Sequence, residues 1–150
     1  MVTNAVKKGD KLPAFSLKDQ NGRTVNVKPG GKAKVVFFYP KDATPGCTLE
    51  AKAFNDALPK LKKVADVYGI SSDGVDSHKS FCDDLKLNYQ LLADEGGAVR
   101  KTFGVPAALF GALPGRVSYV VDKKGEVISV YDDMLGAEKH VSNACKVLGV

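Results

Sequence analysis

The feature that most constrains the fold is a continuous apolar, β-rich run, Lys34-Val-Val-Phe-Phe-Tyr39, which ends at Pro40. Such a run is typical of a central strand that is buried on both faces. A helical pattern follows the next turn, because apolar residues recur every four positions at Leu49, Ala53, Ala57 and Leu61. Pro59 interrupts this pattern, so we expect the helix to break there or a second short helix to begin.

The rest of the chain alternates strand and helix patterns. Strands are predicted at 15–18 and 24–27, around the hairpin-turn signal Asn21-Gly22, and again at 66–71 and 90–93. A second hairpin is predicted from strands at 117–122 and 126–131. Helices are predicted from a cap at Asp76 or Ser77 to about 87, at 97–103, and at about 138–148.

This order of elements predicts an α/β fold. Alternating strands and helices give a parallel centre, and the late hairpin adds antiparallel strands. We therefore expect one domain over residues 1–150, with a mixed central β-sheet flanked by helices and an added N-terminal β-hairpin.

The charge balance bears on partners. Lysine and arginine number 22 against 17 aspartates and glutamates, a formal net charge of +5. The lysines are scattered and tryptophan is absent, whereas a nucleic-acid site needs clustered basic and stacking residues. The longest uncharged run, residues 102–115, holds two prolines and is too short to span a bilayer. We expect neither nucleic-acid binding nor a membrane span.

The three cysteines, Cys47, Cys82 and Cys145, narrow the chemistry. They show no CxxC spacing, which disfavours a zinc site and a thioredoxin-type redox pair. A secreted disulfide scaffold would be richer in cysteine, so we expect an intracellular protein whose cysteines are either buried or chemically used. No phosphate-binding glycine loop is present, and no metal or organic cofactor is implied.

Cys47 stands out because it lies where a buried strand gives way to a helix. In the first helical turn, unpaired backbone N–H groups and the helix dipole favour an anion, and the thiolate is the reactive form of cysteine. Thr44 can point its hydroxyl at the sulfur or at a bound ligand, and Pro40 can wall the sulfur off from water. Taken alone, Cys47 could also be a small buried residue at a helix start.

The surrounding run, PKDATPGC, resembles the peroxidatic-cysteine motif of peroxiredoxins. The helix after it, TLEAKAFND, is similar to that of the peroxiredoxin Q, or bacterioferritin comigratory protein, subfamily. The resemblance continues through GISSDGVDSHKSF, LLADEGGAVRKTFGV and LFGALPGRVSYVVDKKGEV, and the last stretch looks most like plastid members of land plants and algae. It implies a thioredoxin-like fold.

Carried over residue by residue, the resemblance makes Cys47 the peroxidatic nucleophile. Thr44 would position the peroxide, Pro40 would shield the sulfur, and Arg116 would stabilise the thiolate and the transition state. The chemistry agrees, because attack on an O–O bond moves negative charge onto the leaving oxygen, where a fixed guanidinium lowers the barrier.

Attack of Cys47 on a peroxide would leave a sulfenic acid, which a second thiol must reduce. The position of this second thiol departs from the commonest family pattern. Many members carry this resolving cysteine five residues after the first, where this chain has Lys52. Cys82 matches members that carry it in the helix predicted after residue 76, but Cys82 could also be a core residue of that helix. Cys145 lies on the apolar stripe of the last helix and is expected in the core, and a thiol from outside remains a third alternative.

The resemblance implies a thiol-dependent peroxidase that reduces hydrogen peroxide and alkyl hydroperoxides. Thioredoxin or a related dithiol protein would be the reductant, and the protein is expected to be a monomer, in the plastid or alternatively in the cytoplasm. A redox sensor that is oxidised once without turnover is the alternative of a different class.

Three further features are most simply interpreted as structural. His78 and His140 are expected at helix surfaces or caps rather than in catalysis. The apolar loop at 103–113 is interpreted as a loop that packs on the core. Alternatively, it forms an apolar wall for organic peroxides or a docking patch for a reductase.

Overall fold

A computed structural model of the protein describes residues 5–106 and 115–150. Its strands are β1 (Phe15–Asp19), β2 (Thr24–Val27), β3 (Ala33–Phe38), β4 (Ala65–Ser71), β5 (Gln90–Ala93), β6 (Val117–Val121) and β7 (Val127–Asp132). Its helices are α1 (Pro45–Leu61), α2 (Val75–Leu85), α3 (Ala98–Phe103) and α4 (Ala137–Leu148), and a 3-10 turn, Glu95–Gly97, precedes α3.

The seven strands form one mixed sheet in the order β2-β1-β5-β4-β3-β6-β7. The strand β3 lies near its centre and is buried at every residue, as its continuous apolar sequence predicts. It pairs in parallel with β4 and antiparallel with β6, so that Phe38 lies opposite Val117. This register brings Tyr39 and Arg116 together at the carboxyl end of β3.

The predicted N-terminal hairpin is confirmed and is joined to the sheet. Strands β1 and β2 pair antiparallel, and β1 also pairs antiparallel with β5. The Asp19 carboxylate accepts hydrogen bonds from the backbone N–H groups of Asn21 and Arg23, at 2.9 and 3.0 Å, and so fixes the turn.

Helices cover both faces of the sheet. On one face, α1, α2 and α4 pack against β3 around a stacked pair of rings, Phe37 and Phe54, whose centroids are 4.3 Å apart. On the other face, Phe103 of α3 packs on Phe38 and Tyr119. Three helices therefore share the face on which Cys47 and Cys82 are buried.

The expected break at Pro59 is wrong, because α1 continues through this residue to Leu61. Pro59 is exposed and close to the helix end, so only the bond from its missing N–H to the Asn55 carbonyl is lost. Burial of Leu58 and Leu61 on either side favours the continued helix.

Two other expectations also need correction. Leu49 was placed on the apolar stripe of α1, but it is 53% exposed, and the buried face of the helix runs through Cys47, Glu50 and Phe54. The helix α2 begins at Val75 after Gly74, without a side-chain cap from Asp76 or Ser77. The Ser77 hydroxyl instead donates to the carboxylate of Asp42, in the turn between β3 and α1.

Within the described residues, no helix is long and apolar enough to cross a membrane. Most of the apolar loop predicted at 103–113 lies outside them.

A testable consequence of this packing concerns Gly69 in β4. A Cβ added there would lie 2.7 Å from Phe37 Cζ and 2.8 Å from Leu91 Cδ2, two side chains that are themselves buried. We expect Gly69→Ala to lower the free energy of unfolding by about 1–3 kcal/mol in urea denaturation. Gly74→Ala is the control, because its added methyl meets only the mobile end of the exposed Glu95 side chain. Equal stability of the two variants would contradict this account of the core.

Candidate active site

Cys47 lies in the first turn of α1, at the carboxyl end of β3. Thr44 precedes the helix with extended backbone, and Pro45 occupies its first turn, a position that needs no backbone donor. The sulfur therefore faces the unpaired N–H groups of a helix N-terminus. It is 2% exposed, at the floor of an open cavity of about 450 Å³.

Arg116 is the cation nearest this sulfur and is itself buried. Its Nη2 lies 3.5 Å from Cys47 Sγ, and its Nη1 donates to Glu50 Oε1 at 2.6 Å. Its Nε donates to the Met134 carbonyl at 3.0 Å. Gly46 makes room for the guanidinium, because a Cβ there would lie 2.9 Å from Nη2. All three guanidinium nitrogens therefore have a partner, and Nη2 is the one that faces the sulfur.

Burial disfavours the charged form of Arg116, but the charges of Glu50 and Cys47 outweigh it, so the pKa of Arg116 is raised. Burial raises the pKa of Glu50, and the guanidinium acts in the opposite direction. Glu50 Oε2 has no hydrogen-bond partner among the described residues and lies 3.7 Å from His140 Nδ1. The guanidinium keeps a fixed positive charge beside the sulfur.

His140 fixes the turn that holds Arg116. Its Nε2 lies 2.8 Å from the Asp133 carbonyl, so this nitrogen carries the proton, and its Nδ1 accepts from the Ser118 hydroxyl at 2.8 Å. Burial lowers the pKa of His140 and favours this neutral form. The expectation of a surface or cap histidine is wrong, because His140 is fully buried.

Thr44 and Pro40 both line the cavity above Cys47, as the sequence predicts. The Thr44 hydroxyl donates to the Lys41 carbonyl at 2.8 Å. The lone pairs of the Thr44 oxygen therefore point away from that carbonyl. The other lining residues are Lys41, Gly46, Ser72, Asp73, Arg116 and Met134.

Sequence reasoning missed Glu50, His140 and Arg100 as members of this region. Arg100 donates to the carbonyls of Tyr39 and Gly115, at 2.8 and 3.0 Å, and so ties the strand ends together beside the site. A signal for Glu50 existed: it follows Cys47 by three residues, so its charge falls on the buried face of the same helix.

The structure does not place Cys82 in this cavity. Cys82 is a free, buried thiol of α2, and burial first, then the charge of Asp42, raises its pKa to about 12. Cys145 is also free and is buried in the core, as its apolar stripe predicts.

Among the residues that the structure describes, one group of side chains has the composition of a metal site: Asp42, Asp73 and His78, whose ligand atoms lie within 4.8 Å of one another. Their atoms are engaged with the protein. Asp42 accepts from His78 Nδ1 at 2.7 Å, and Asp73 accepts from the Ser71 hydroxyl at 2.6 Å. They form a hydrogen-bond network behind the turn that carries Cys47.

Comparison with known proteins agrees with this geometry. Residues 8–130 match the model of the AhpC/TSA family. The chain is 51% identical over 145 residues to the chloroplastic peroxiredoxin Q of Populus jackii, covering 95% of this chain and 68% of the relative.

Two solved structures share the fold. Peroxidoxin BcpB of Mycobacterium tuberculosis has a TM-score of 0.84 at 33% identity, covering 95% of this chain and 96% of that one. The bacterioferritin comigratory protein of Xanthomonas campestris, solved in a study of its alkyl peroxide reduction activity, has a TM-score of 0.77 at 28% identity, with coverages of 88% and 90%. The fold is thus the thioredoxin-like fold of peroxiredoxins, and the chain belongs to the AhpC/TSA family and, within it, to the peroxiredoxin Q subfamily of thiol peroxidases.

Proposed function

We propose that this peroxidase reduces hydrogen peroxide and alkyl hydroperoxides through Cys47, and that thioredoxin or a related dithiol protein restores it by way of a Cys47–Cys82 disulfide. The observation that carries the proposal is the 3.5 Å contact between Arg116 Nη2 and Cys47 Sγ at the floor of an open cavity. A thiolate held beside a fixed cation is the form of cysteine that attacks an electrophile.

In the first step, the thiolate sulfur of Cys47 attacks one oxygen of the peroxide. The S–O bond forms, the O–O bond breaks, and the leaving oxygen takes a proton to give water or an alcohol. Negative charge moves from sulfur to the leaving oxygen, so the Arg116 guanidinium stabilises the transition state as well as the thiolate. Glu50 and the Met134 carbonyl hold the guanidinium and limit its reorganisation.

Thr44 and Pro40 take supporting roles at the mouth of the site. The Thr44 hydroxyl oxygen accepts a hydrogen bond from the incoming peroxide, since its proton is given to the Lys41 carbonyl. Pro40 lines the same cavity as the Cys47 sulfur, which supports a role for its ring in shielding the thiolate from water. Water exclusion there strengthens the interaction between sulfur and guanidinium.

The room above Cys47 supports organic as well as inorganic peroxides. A cavity of about 450 Å³ exceeds the needs of hydrogen peroxide, and the Pro40 ring and the Met134 side chain offer apolar surface. The relative from Xanthomonas campestris is described as reducing alkyl peroxides, and this activity agrees with a site of this size.

We assign the resolving role to Cys82 because it matches subfamily members that carry this cysteine in the corresponding helix, here α2. The position five residues after Cys47 is the exposed Lys52, and Cys145 lies on the buried face of α4. We assign the plastid as the compartment because curated relatives at about half identity are chloroplastic. We further propose that the protein acts as a monomer of one domain.

We expect Cys47→Ser to abolish peroxide reduction while leaving the fold intact, because a serine hydroxyl is not ionised at neutral pH. Peroxide consumption with thioredoxin and its reductase measures this, and circular dichroism checks the fold. Cys145→Ser is the matched control, since it changes a core thiol away from the cavity. Activity that survives in Cys47→Ser would refute the assignment.

We expect Arg116→Lys to slow Cys47 oxidation at least about tenfold, because lysine cannot hold Glu50 and face the sulfur with one rigid fork. Stopped-flow kinetics with one peroxide gives the rate constant. Lysine keeps a charge for the buried Glu50, so the fold is better protected than in Arg116→Ala. Arg23→Lys, at an exposed hairpin turn, is the control. An unchanged rate for Arg116→Lys would remove the guanidinium from the mechanism.

We expect Cys82→Ser to consume one equivalent of peroxide, lose turnover with thioredoxin and over-oxidise sooner, because the sulfenic acid at Cys47 then has no internal partner. Non-reducing mass spectrometry after peroxide treatment identifies the pairing. Normal turnover of Cys82→Ser together with failure of Cys145→Ser would move the resolving role to Cys145. Normal turnover of both variants would leave resolution to an external thiol.

A further inference from the structure

The two cysteines of the proposed disulfide line different cavities. Cys47 lines the active-site cavity, whereas Cys82 lines a separate cavity of about 330 Å³ together with Gln20, Lys79 and Leu87. Among the described residues, none lines both cavities. A disulfide needs Cα atoms within about 7 Å, and we expect it to form after movement of the first turn of α1, the helix α2, or both.

One carboxylate restrains these two segments together. Asp42 lies in the turn between β3 and α1, five residues before Cys47. Its oxygens accept hydrogen bonds from the Tyr39 hydroxyl at 2.6 Å, the Ser77 hydroxyl at 2.8 Å and His78 Nδ1 at 2.7 Å. Ser77 and His78 belong to the first turn of α2. Asp42 thus joins the active-site turn to the start of the helix that carries Cys82.

His78 extends this connection to the sheet. Its Nε2 lies 3.0 Å from the Leu92 carbonyl of β5, so that the ring joins Asp42 on one side to β5 on the other. The ring is fully buried, contrary to the expectation of a surface or cap histidine. Cys82 follows it by four residues, on the same face of α2.

The active-site turn also depends on bonds from outside it. Ala43 has φ of +61°, a left-handed conformation that is unfavourable for alanine. The Asp42 N–H donates to Asp73 Oδ2 at 2.8 Å, which helps to hold the turn in this shape. The backbone and side chain of Asp42 together restrain the turn that carries Cys47 and the start of α2.

We propose that Asp42, Ser77 and His78 form a latch that holds α2 against the active-site turn and so sets the rate at which the Cys47 sulfenic acid is resolved. The inference rests on the proposed resolving role of Cys82. In that step the Cys82 sulfur attacks the Cys47 sulfur, the S–S bond forms, and the S–O bond breaks. The hydroxide leaves as water with the Cys82 proton. The latch acts before this step, by limiting how often α2 opens.

Ser77→Ala tests the latch with little risk to the fold, because Ser77 is exposed apart from its bond to Asp42. Ser80→Ala is the matched control, an exposed serine of the same helix with the same change in helix propensity. Ser77→Thr keeps the hydroxyl and should restore wild-type behaviour. Reduced protein is mixed with one equivalent of hydrogen peroxide, and mass spectrometry of quenched samples follows the sulfenic acid and the disulfide separately.

We expect Ser77→Ala to oxidise Cys47 at the wild-type rate but to form the disulfide about threefold to tenfold faster, the effect of losing one ordinary hydrogen bond made by an exposed side chain. Over-oxidation of Cys47 should fall accordingly. A merely structural role would lower stability without separating the two steps. Ser80→Ala and Ser77→Thr should match the wild type in both.

Disulfide formation in Ser77→Ala that is equal to or slower than in Ser80→Ala would overturn the proposal. Hydrogen exchange of the α2 amides in the reduced enzyme tests the latch without the disulfide, and we expect faster exchange in Ser77→Ala. If the wild type forms no Cys47–Cys82 disulfide, the resolving role of Cys82 and the control of resolution both fail. The exchange data then show separately whether the latch restrains α2.

Discussion

The buried ion pair between Arg116 and Glu50 is the interaction on which the rest of the site depends. Burial of a guanidinium is unfavourable unless its donors are satisfied, and here Glu50, the Met134 carbonyl and the Cys47 sulfur engage all three nitrogens. The pair joins Arg116, the residue directly before β6, to Glu50 of α1, so it fixes the helix start relative to the sheet. A cation that cannot reorient is then available where charge shifts from sulfur to oxygen.

Two buried histidines support the two halves of this chemistry. His140 holds the turn after β7, whose Met134 carbonyl receives Arg116, and so belongs with the peroxide step. His78 holds the start of α2 to Asp42, and in the proposed resolution by Cys82 it belongs with the restraint on that helix. The two histidines thus restrain different parts of the fold, the turn that holds Arg116 and the start of α2.

Much of the architecture could be predicted from the sequence, since the apolar run at β3, the two hairpins and the helical patterns each have a strong local cause. Cys47 could also be placed, because a strand, a turn with Pro45 and a helix leave its sulfur at a helix N-terminus. The partners of the inward-facing polar residues could not. The spacing from Cys47 puts Glu50 on the buried face of α1, but the local pattern presents His78 and His140 as ordinary helix residues. Only the register that sets Phe38 opposite Val117 and the packing of the helices bring the partners of all three to them. The expectations for Pro59 and Leu49 fail for a related reason. Burial of neighbouring residues in α1 decides where the helix ends and which face packs on the core, and it overrides the local pattern.

The central claim is that Glu50 acts on peroxide reduction only by holding Arg116 beside Cys47. A double-mutant cycle measures this most directly, with the second-order rate constant of Cys47 oxidation determined for wild type, Glu50→Gln, Arg116→Lys and the double variant. Our account predicts that each single variant is slow and that the double variant is no slower than the slower single one, because both changes remove the same held guanidinium. A double variant whose rate falls by the product of the two separate effects would show that Glu50 and Arg116 act independently, and would contradict the account.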